Sequence, residues 1–202
     1  MFDFSSWRVR TRLTVGFGVV CVLLVASVLM GLMAMSRMGA DLKAVVADHF
    51  PRIVAATNLS TQIDVIAIAL RNMMLNADAA DRERQTQVIA QSRQEVVRLF
   101  DTLDKTLTEP KDRALLQKVK EQRALYLAGQ EELLGFIRSD QTDQSREYLA
   151  SKLQPVLASY KASIGALVES EKNAIVTAGT DARDTAVNAR NTLIGLGVTA
   201  LL

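Results

Sequence analysis

Apolar positions along this chain follow two patterns. From Leu13 to Met35 they form one run, LTVGFGVVCVLLVASVLMGLMAM, of about 23 uncharged residues, enough as a helix to cross the ~30 Å hydrocarbon core of a bilayer. Between Ser36 and Thr192 they recur instead with helical spacing. Leu59, Ile63, Ile66, Leu70 and Met73 step by fours and threes. Ile89, Val96, Leu99 and Leu103 continue the pattern in a second segment. Leu116, Val119, Tyr126, Leu133 and Ile137 mark a third, its seam interrupted by Arg123 and Gln130. Leu149, Leu153, Val156, Tyr160, Ile164 and Leu167 mark a fourth. Four such seams pack at small crossing angles, which predicts an all-α fold, an antiparallel up-down four-helix bundle with flanking transmembrane helices.

The breaks between seams are short and polar. Asn76 to Asp81 separates the first two helices, with Asp81 as the expected cap of the second. Thr108-Glu109-Pro110 separates the second and third, with Thr108 as the expected cap and Pro110 in the first turn. Ser139 to Gln144 precedes the fourth, capped by Thr142 or Asp143, and Pro155 is expected to kink or loosen that helix. A first helix running from the membrane to about residue 76 is roughly 60 Å long, and the second and third are roughly 45 Å each. The loops at 76–81 and 139–144 therefore form the membrane-distal tip, and the loop at Thr108 turns back before the bilayer.

Charge sets the expected topology. Arg8, Arg10 and Arg12 precede the apolar run, with Trp7 at interface depth, while Arg37 and Lys43 beyond it are offset by Asp41. The denser positive side belongs in the cytoplasm. A cleaved signal peptide would carry a shorter apolar core of about 7–15 residues and a small-residue cleavage site, whereas Met35-Ser36-Arg37 is a poor one. The final residues, LIGLGVTALL, are apolar again, and about ten residues are too few to span a bilayer. The expectation is a piece of a longer receptor: a cytoplasmic N-terminus at 1–12, a first transmembrane helix at 13–35, a periplasmic sensor domain at 36–192, and the start of a second transmembrane helix at 193–202.

Composition narrows the function classes. Ten Gly and only three Pro favour helices over an all-β fold. A net charge of +2, with no basic run interleaved with aromatics, argues against nucleic acid. One cysteine, Cys21, and one histidine, His49, rule out an intrachain disulfide and a Cys- or His-rich metal site. His49 reads as a solvated or membrane-proximal side chain. No nucleophile–base pair, metal cluster or phosphate-binding glycine loop is visible, so neither an enzyme nor a cofactor is expected.

The candidate chemistry lies near the tip. Arg71 flanks the first seam about one and a half turns below it, and a guanidinium there suits bidentate recognition of a carboxylate. An ion pair within or between subunits, or a solvated Arg with its stem on the seam, is the competing reading. At matching depth on the fourth helix lie Tyr148, Leu149, Lys152 and Gln154, offering a phenol, a second positive charge and an amide. Arg82 and Arg138 stand near the tip beside Glu83, Asp140 and Glu147, and are equally readable as surface charges.

The order of transmembrane helix, four-helix periplasmic bundle and second transmembrane helix resembles methyl-accepting chemotaxis proteins of the four-helix-bundle sensor class. The stretch Ile66-Ala67-Ile68-Ala69-Leu70-Arg71-Asn72-Met73-Met74-Leu75 is similar to that family's first-helix segment, in which an Arg binds ligand, and His49-Phe50-Pro51 resembles the start of that helix. Glu147-Tyr148-Leu149-Ala150-Ser151-Lys152-Leu153-Gln154-Pro155 is similar to the fourth-helix segment that contacts amino-acid or organic-acid ligands through a Tyr, backbone carbonyls and a polar side chain. The resemblance implies a ligand site at Arg71, Met74, Arg138, Tyr148, Leu149, Lys152 and Gln154. Aspartate receptors of the family carry more than one Arg on the first helix face and a Thr on the fourth. Here Arg71 stands alone and Gln154 is nearest to the Thr, so the implied ligand is a small di- or tricarboxylate, its second carboxylate met by Lys152, Arg138 or a partner subunit. A homodimer embedded in the bacterial inner membrane is implied too, with a fourth-helix displacement controlling a cytoplasmic kinase and adaptor. The same bundle can feed a transmembrane histidine kinase or a nucleotide cyclase, and a ligand-free structural coiled coil is the remaining alternative.

Overall fold

The computed structural model describes residues 9–201. Residues 1–8, including Trp7 and Arg8 of the expected cytoplasmic terminus, lie outside the described residues, as does Leu202. All the regular elements described are helical: α1 (Val9–Ala44), α2 (Phe50–Leu75), α3 (Ala79–Thr106), α4 (Pro110–Arg138), α5 (Thr142–Tyr148) and α6 (Gln154–Leu201). Two π-helical turns, Val45–His49 and Leu149–Leu153, join α1 to α2 and α5 to α6. The chain divides into two units. One is residues 46–174; the other combines the residues up to Val45 with those from Ile175 onward.

Both π turns have the same cause. Proline lacks an N–H, and its ring collides with the carbonyl four residues back. Pro51 and Pro155 each stand two residues beyond a π turn, and the carbonyls that they displace, those of Ala47 and Ser151, are at the middle of the two turns. Widening the helix there moves the carbonyl clear, and the Gln154 N–H reaches back five residues to Leu149 O. The sequence predicts a disturbance at Pro155 and none at Pro51, which the structure adds.

The caps differ from expectation in detail. Asp78, not Asp81, caps α3, its side chain accepting from the Asp81 N–H at 3.2 Å. Asp81 sits in the first turn, where a negative charge suits the helix N-terminus, and accepts from Arg84 at 2.8 Å. Glu109, not Thr108, is the N-cap of α4, because the residue before a proline is held extended and Pro110 itself starts the helix. Gln141 rather than Thr142 or Asp143 is the N-cap of α5. One guanidinium fastens the two tip turns. Arg82 Nε donates to the carbonyls of Met73 (3.3 Å) and Asn76 (3.1 Å), and its Nη1 donates to Asp140 at 2.8 Å. Asp140 has a left-handed φ of 52°, a conformation that an Asp tolerates better than most residues.

In the unit of residues 46–174 the first three predicted seams are buried throughout. In the fourth, Leu153, Tyr160, Ile164 and Leu167 are buried and Leu149 and Val156 are half-buried against the same core. A fully buried Leu or Ile contributes about 1.5–3 kcal/mol, so these seams supply most of the driving force. Asp64 and Lys161 pair at 2.7 Å between α2 and α6, and Tyr126 of α4 stacks at a tilt on Tyr160 of α6 with ring centres 5.9 Å apart. The closest approach is at Gly129, where a Cβ would stand 2.7 Å from Leu153 Cδ1 and 3.4 Å from the Tyr148 hydroxyl.

That contact yields the first prediction. Gly129→Val should destabilise the fold by about 1–3 kcal/mol through overpacking. On the same helix nothing lies within 4 Å of a Cβ at Gly135, so Gly135→Ala should stabilise by roughly 1 kcal/mol through helix propensity. Thermal melts of both variants check the pair; equal effects would mean that α4 does not need to approach the π turn closely.

Candidate functional site

The register of α2 against α6 decides what faces Arg71. Asp64 pairs with Lys161, and the helices run in opposite directions, as the second link from His49 to Glu171 also requires. Seven residues up α2 from Asp64 is Arg71; seven residues back along α6 from Lys161 is Gln154. That pair sets Arg71 towards the height of Gln154, whereas the tip cavity that Met74 shares with Thr142 and Ser145 sets it towards Tyr148, so Arg71 lies at the height of the stretch 148–154. Arg71 and Gln154 are exposed, Lys152 lies two residues from Gln154 on the π turn, and neither Arg71 nor Lys152 has an ion-pair partner among the described residues. Arg71 also acts inward. The buried Tyr126 phenol is pushed up to about 12, first by burial; neighbouring Gln130 opposes the rise, Asp64 adds to it, and Arg71 and Arg93 reduce it.

The π turn serves this face in a second way. Pro155 offers no N–H, so the carbonyls that it would serve in an α or a π arrangement, those of Ser151 and Ala150, lose that donor. Both residues are exposed beside Lys152. An acceptor, an ammonium and an amide thus share one short exposed segment.

The other predicted residues lie elsewhere. Tyr148 turns towards α4, where its hydroxyl donates to Glu132 at 2.9 Å and its ring tilts against Phe136, centres 5.6 Å apart. Burial raises the Tyr148 phenol, and the bond to Glu132 adds to the rise. Leu149 is half-buried against the core. Met74 is also half-buried and lines a small cavity at the tip with Arg82, Ile137 and Asp140. Arg138 follows Ile137, which lines the same tip cavity as Met74, so it stands at the end of α4 about one turn nearer the tip than Arg71. Lys152 and Gln154 share one short exposed segment near the height of Arg71, and Arg138 lies about one turn nearer the tip.

Sequence reasoning passed over a polar layer at the opposite end. His49 is half-buried rather than solvated, its Nδ1 2.7 Å from Glu171 Oε2, and Arg52 Nη1 lies 3.7 Å from the same oxygen. Glu171 is only 1 % exposed. Beside it the Ser170 hydroxyl donates to the buried Asp112 at 2.7 Å. The signal was present in the spacing. Extending the first, third and fourth seams by one step arrives at Arg52, Asp112 and Glu171. A second polar layer lies mid-bundle, at the seam interruptions. Gln130 is fully buried and accepts from Arg93 at 2.7 Å, and Arg123 lies over the Phe100 ring, 4.9 Å from its centre.

An all-helical bundle with polar layers inside it is the architecture of a sensory module. A family model described as a four-helix-bundle sensory module for signal transduction, that of methyl-accepting chemotaxis proteins, matches residues 6–186. The chain belongs to that family and is a chemoreceptor sensory module. No curated protein matches the sequence.

Two predictions follow from the polar layers. Glu171→Ala leaves Arg52 and His49 without their buried counter-charge and should cost about 3–5 kcal/mol, measured by chemical denaturation. Glu169→Ala, on an exposed position of the same helix, should change stability by no more than about 0.5 kcal/mol. The chain has three tyrosines, and burial raises all three phenols, Tyr160 included. An unfolded phenol ionises near pH 10, whereas the folded chain holds these protons more tightly, so their contribution to stability is complete below about pH 10 and is lost as pH rises towards 12. Spectrophotometric titration should show tyrosinate appearing only together with loss of helical circular dichroism; ionisation near pH 10 with the helices intact would contradict it.

Proposed function

We propose that this sensory module recognises a small di- or tricarboxylate, with Arg71 as its principal anchor. The observation that supports this is that the Arg71 guanidinium is exposed and has no ion-pair partner among the described residues, at the height of the exposed stretch of α6 and its π turn that carries Lys152 and Gln154. A carboxylate would take a bidentate contact from Arg71 and a further donor from the Gln154 amide, and Lys152 would meet a second carboxylate. The remaining members of the predicted set, Arg138 and Tyr148, would enter from a partner protomer or after rearrangement of the tip. These groups hold anions and carry no reacting centre, so the chain works by binding rather than catalysis.

The same reading places the module outside the cytoplasmic membrane. Among the described residues one helix is long and apolar enough to cross a bilayer, and its apolar side chains, such as Leu13, Phe17, Val22 and Leu32, are largely exposed. Exposed apolar surface on that scale suits lipid. With the N-terminus cytoplasmic and α6 returning to the bilayer, the bundle is periplasmic and the protein multi-pass. A homodimer would present Arg71 to a shared groove, and ligand would shift α6 relative to α2, a displacement read by a cytoplasmic kinase and its adaptor.

Calorimetry tests the anchor. Arg71→Ala should weaken binding of the responding carboxylate by about 2–5 kcal/mol, because a carboxylate is left without its partner. Melting of the unliganded chain should hardly change, since the side chain is exposed. Arg71→Lys should bind poorly too, lacking the planar fork. Unaltered affinity in a folded Arg71→Ala variant, or a screen of dicarboxylates and tricarboxylates without a response, would overturn the assignment.

A further inference from the structure

Between α3 and α4 lies a groove of about 460 Å³ that shares no residue with the face around Arg71. The two helices run antiparallel, since Asp104 pairs with Lys120 and Arg93 with Glu131, and this gives the groove an order along its length. Val97 and Leu127 form one end, Phe100 and Arg123 the middle, and the Asp104–Lys120 pair the other end. Val97 is 54 % exposed, so the first end offers apolar surface that the core does not cover. Charge singles out Arg123. Both oxygens of Asp104 accept from Lys120, at 2.7 and 2.8 Å, and Asp101 accepts from Lys105 at 2.6 Å. The acids of the groove are thus matched, and Arg123 is the one charged residue lining it without an ion-pair partner among the described residues.

Arg123 is half-buried, and its Nε is buried with no hydrogen-bond partner among the described residues. The Phe100 ring, 4.9 Å below the guanidinium, steadies it without neutralising it. A partly desolvated cation held in one place is favourable for an anion, because the donors need no reordering when it arrives. Asp101 and Asp104 limit which anion: a second carboxylate in the groove would face them at a cost. Val97 and Leu127 ask in turn for an apolar body beside the charge. We propose that the α3–α4 groove is a second ligand site, for a small monocarboxylate with an apolar body: the carboxylate takes the Arg123 guanidinium, the body lies against Val97 and Leu127, and the two aspartates turn dicarboxylates away. The site also reaches α6. Burial raises the Tyr160 phenol of that helix, and Arg123 opposes the rise, so the guanidinium and the phenol are within electrostatic reach. A carboxylate on Arg123 would therefore change the field at α6, the helix to which the reading above gives the signal.

The test uses the whole chain in phosphatidylcholine nanodiscs and para-fluorobenzoate as the probe, with binding read as fluorine NMR line broadening against empty nanodiscs. Saturable broadening is expected. The neutral analogue para-fluorobenzamide should bind at least about tenfold more weakly, since a hydrogen bond to a charged group is worth that much, and Arg123→Gln should weaken the acid by a similar factor. Ala124 is exposed and lines the groove, so Ala124→Leu fills it and keeps Arg123. That variant should retain helical circular dichroism and still lose at least about tenfold in affinity, a result that a merely structural Arg123 would not give. Arg71→Ala should leave the affinity within about twofold, and succinate should not displace the probe. Absence of saturable broadening, equal binding of the amide, or unaltered affinity in Ala124→Leu would overturn the proposal. So would a changed oligomeric state of Ala124→Leu in place of a changed affinity, which would mean that a second copy covers the groove. Loss of the probe in Arg71→Ala, or its displacement by succinate, would move it to the face around Arg71, overturning this site and leaving that reading intact. Should Arg123→Gln fail to fold, the amide and Ala124→Leu decide.

Discussion

A carboxyl group buried as deeply as Glu171 costs several kcal/mol unless polar partners meet it, and this one is met by the His49 ring at 2.7 Å and by the Arg52 guanidinium at 3.7 Å, both from a single short stretch of the chain. The consequence reaches far beyond the three residues. A hydrophobic seam tolerates a slide of one turn, since one Leu replaces another, but a slide of α6 along α2 by one turn would strand that group. Asp64 and Lys161 repeat the constraint at mid-height in a form more open to solvent. Between them the two links limit how far α6 can slide past Arg71. The candidate anion face is thus set by charges some distance from it, and a shift of α6 would have to be drawn against them.

The prolines supply a complementary constraint. Each forces the helix to widen one turn earlier, and the widened turn leaves carbonyl groups short of donors. At Pro155 those groups belong to exposed residues, Ala150 and Ser151; at Pro51 the widened turn ends in His49, whose ring meets Glu171. One covalent feature, an absent N–H, therefore contributes to both ends of the bundle. Gly129 completes the arrangement, because the bulkier π turn reaches α4 only where a side chain is missing.

Much of this was legible in the sequence. All four seams, the short turns and the tip were readable because burial imposes a period of 3.6 that no other element imitates, and every residue of the first three seams is buried. The caps were readable only to within a few residues, since Asp78 and Asp81 are equally good caps by type and only the backbone decides between them. Helix lengths set the height of Arg71 only to within the stretch 148–154, and the rotation of Tyr148 towards Glu132 was not readable at all, because it depends on one extra residue in a π turn that leaves no mark beyond Pro155. The ionic layer was missed for a different reason. Charged residue types are read as surface, and Arg52, Asp112 and Glu171 reveal themselves only when the seam is extended through them.

A π turn is one residue more than a helix needs, and the surplus at Leu149–Leu153 is carried on the outside: Ala150, Ser151 and Lys152 are exposed, while Leu153 keeps its place in the core. Changes of residue type in that short arc do not have to be accommodated by the packing beneath. Over evolutionary time the arc can exchange an ammonium for an amide, or a hydroxyl for a carboxylate, and alter what the receptor tastes while the helices that report the event stay in phase. Selectivity and transmission are then inherited separately, although they are written on the same helix.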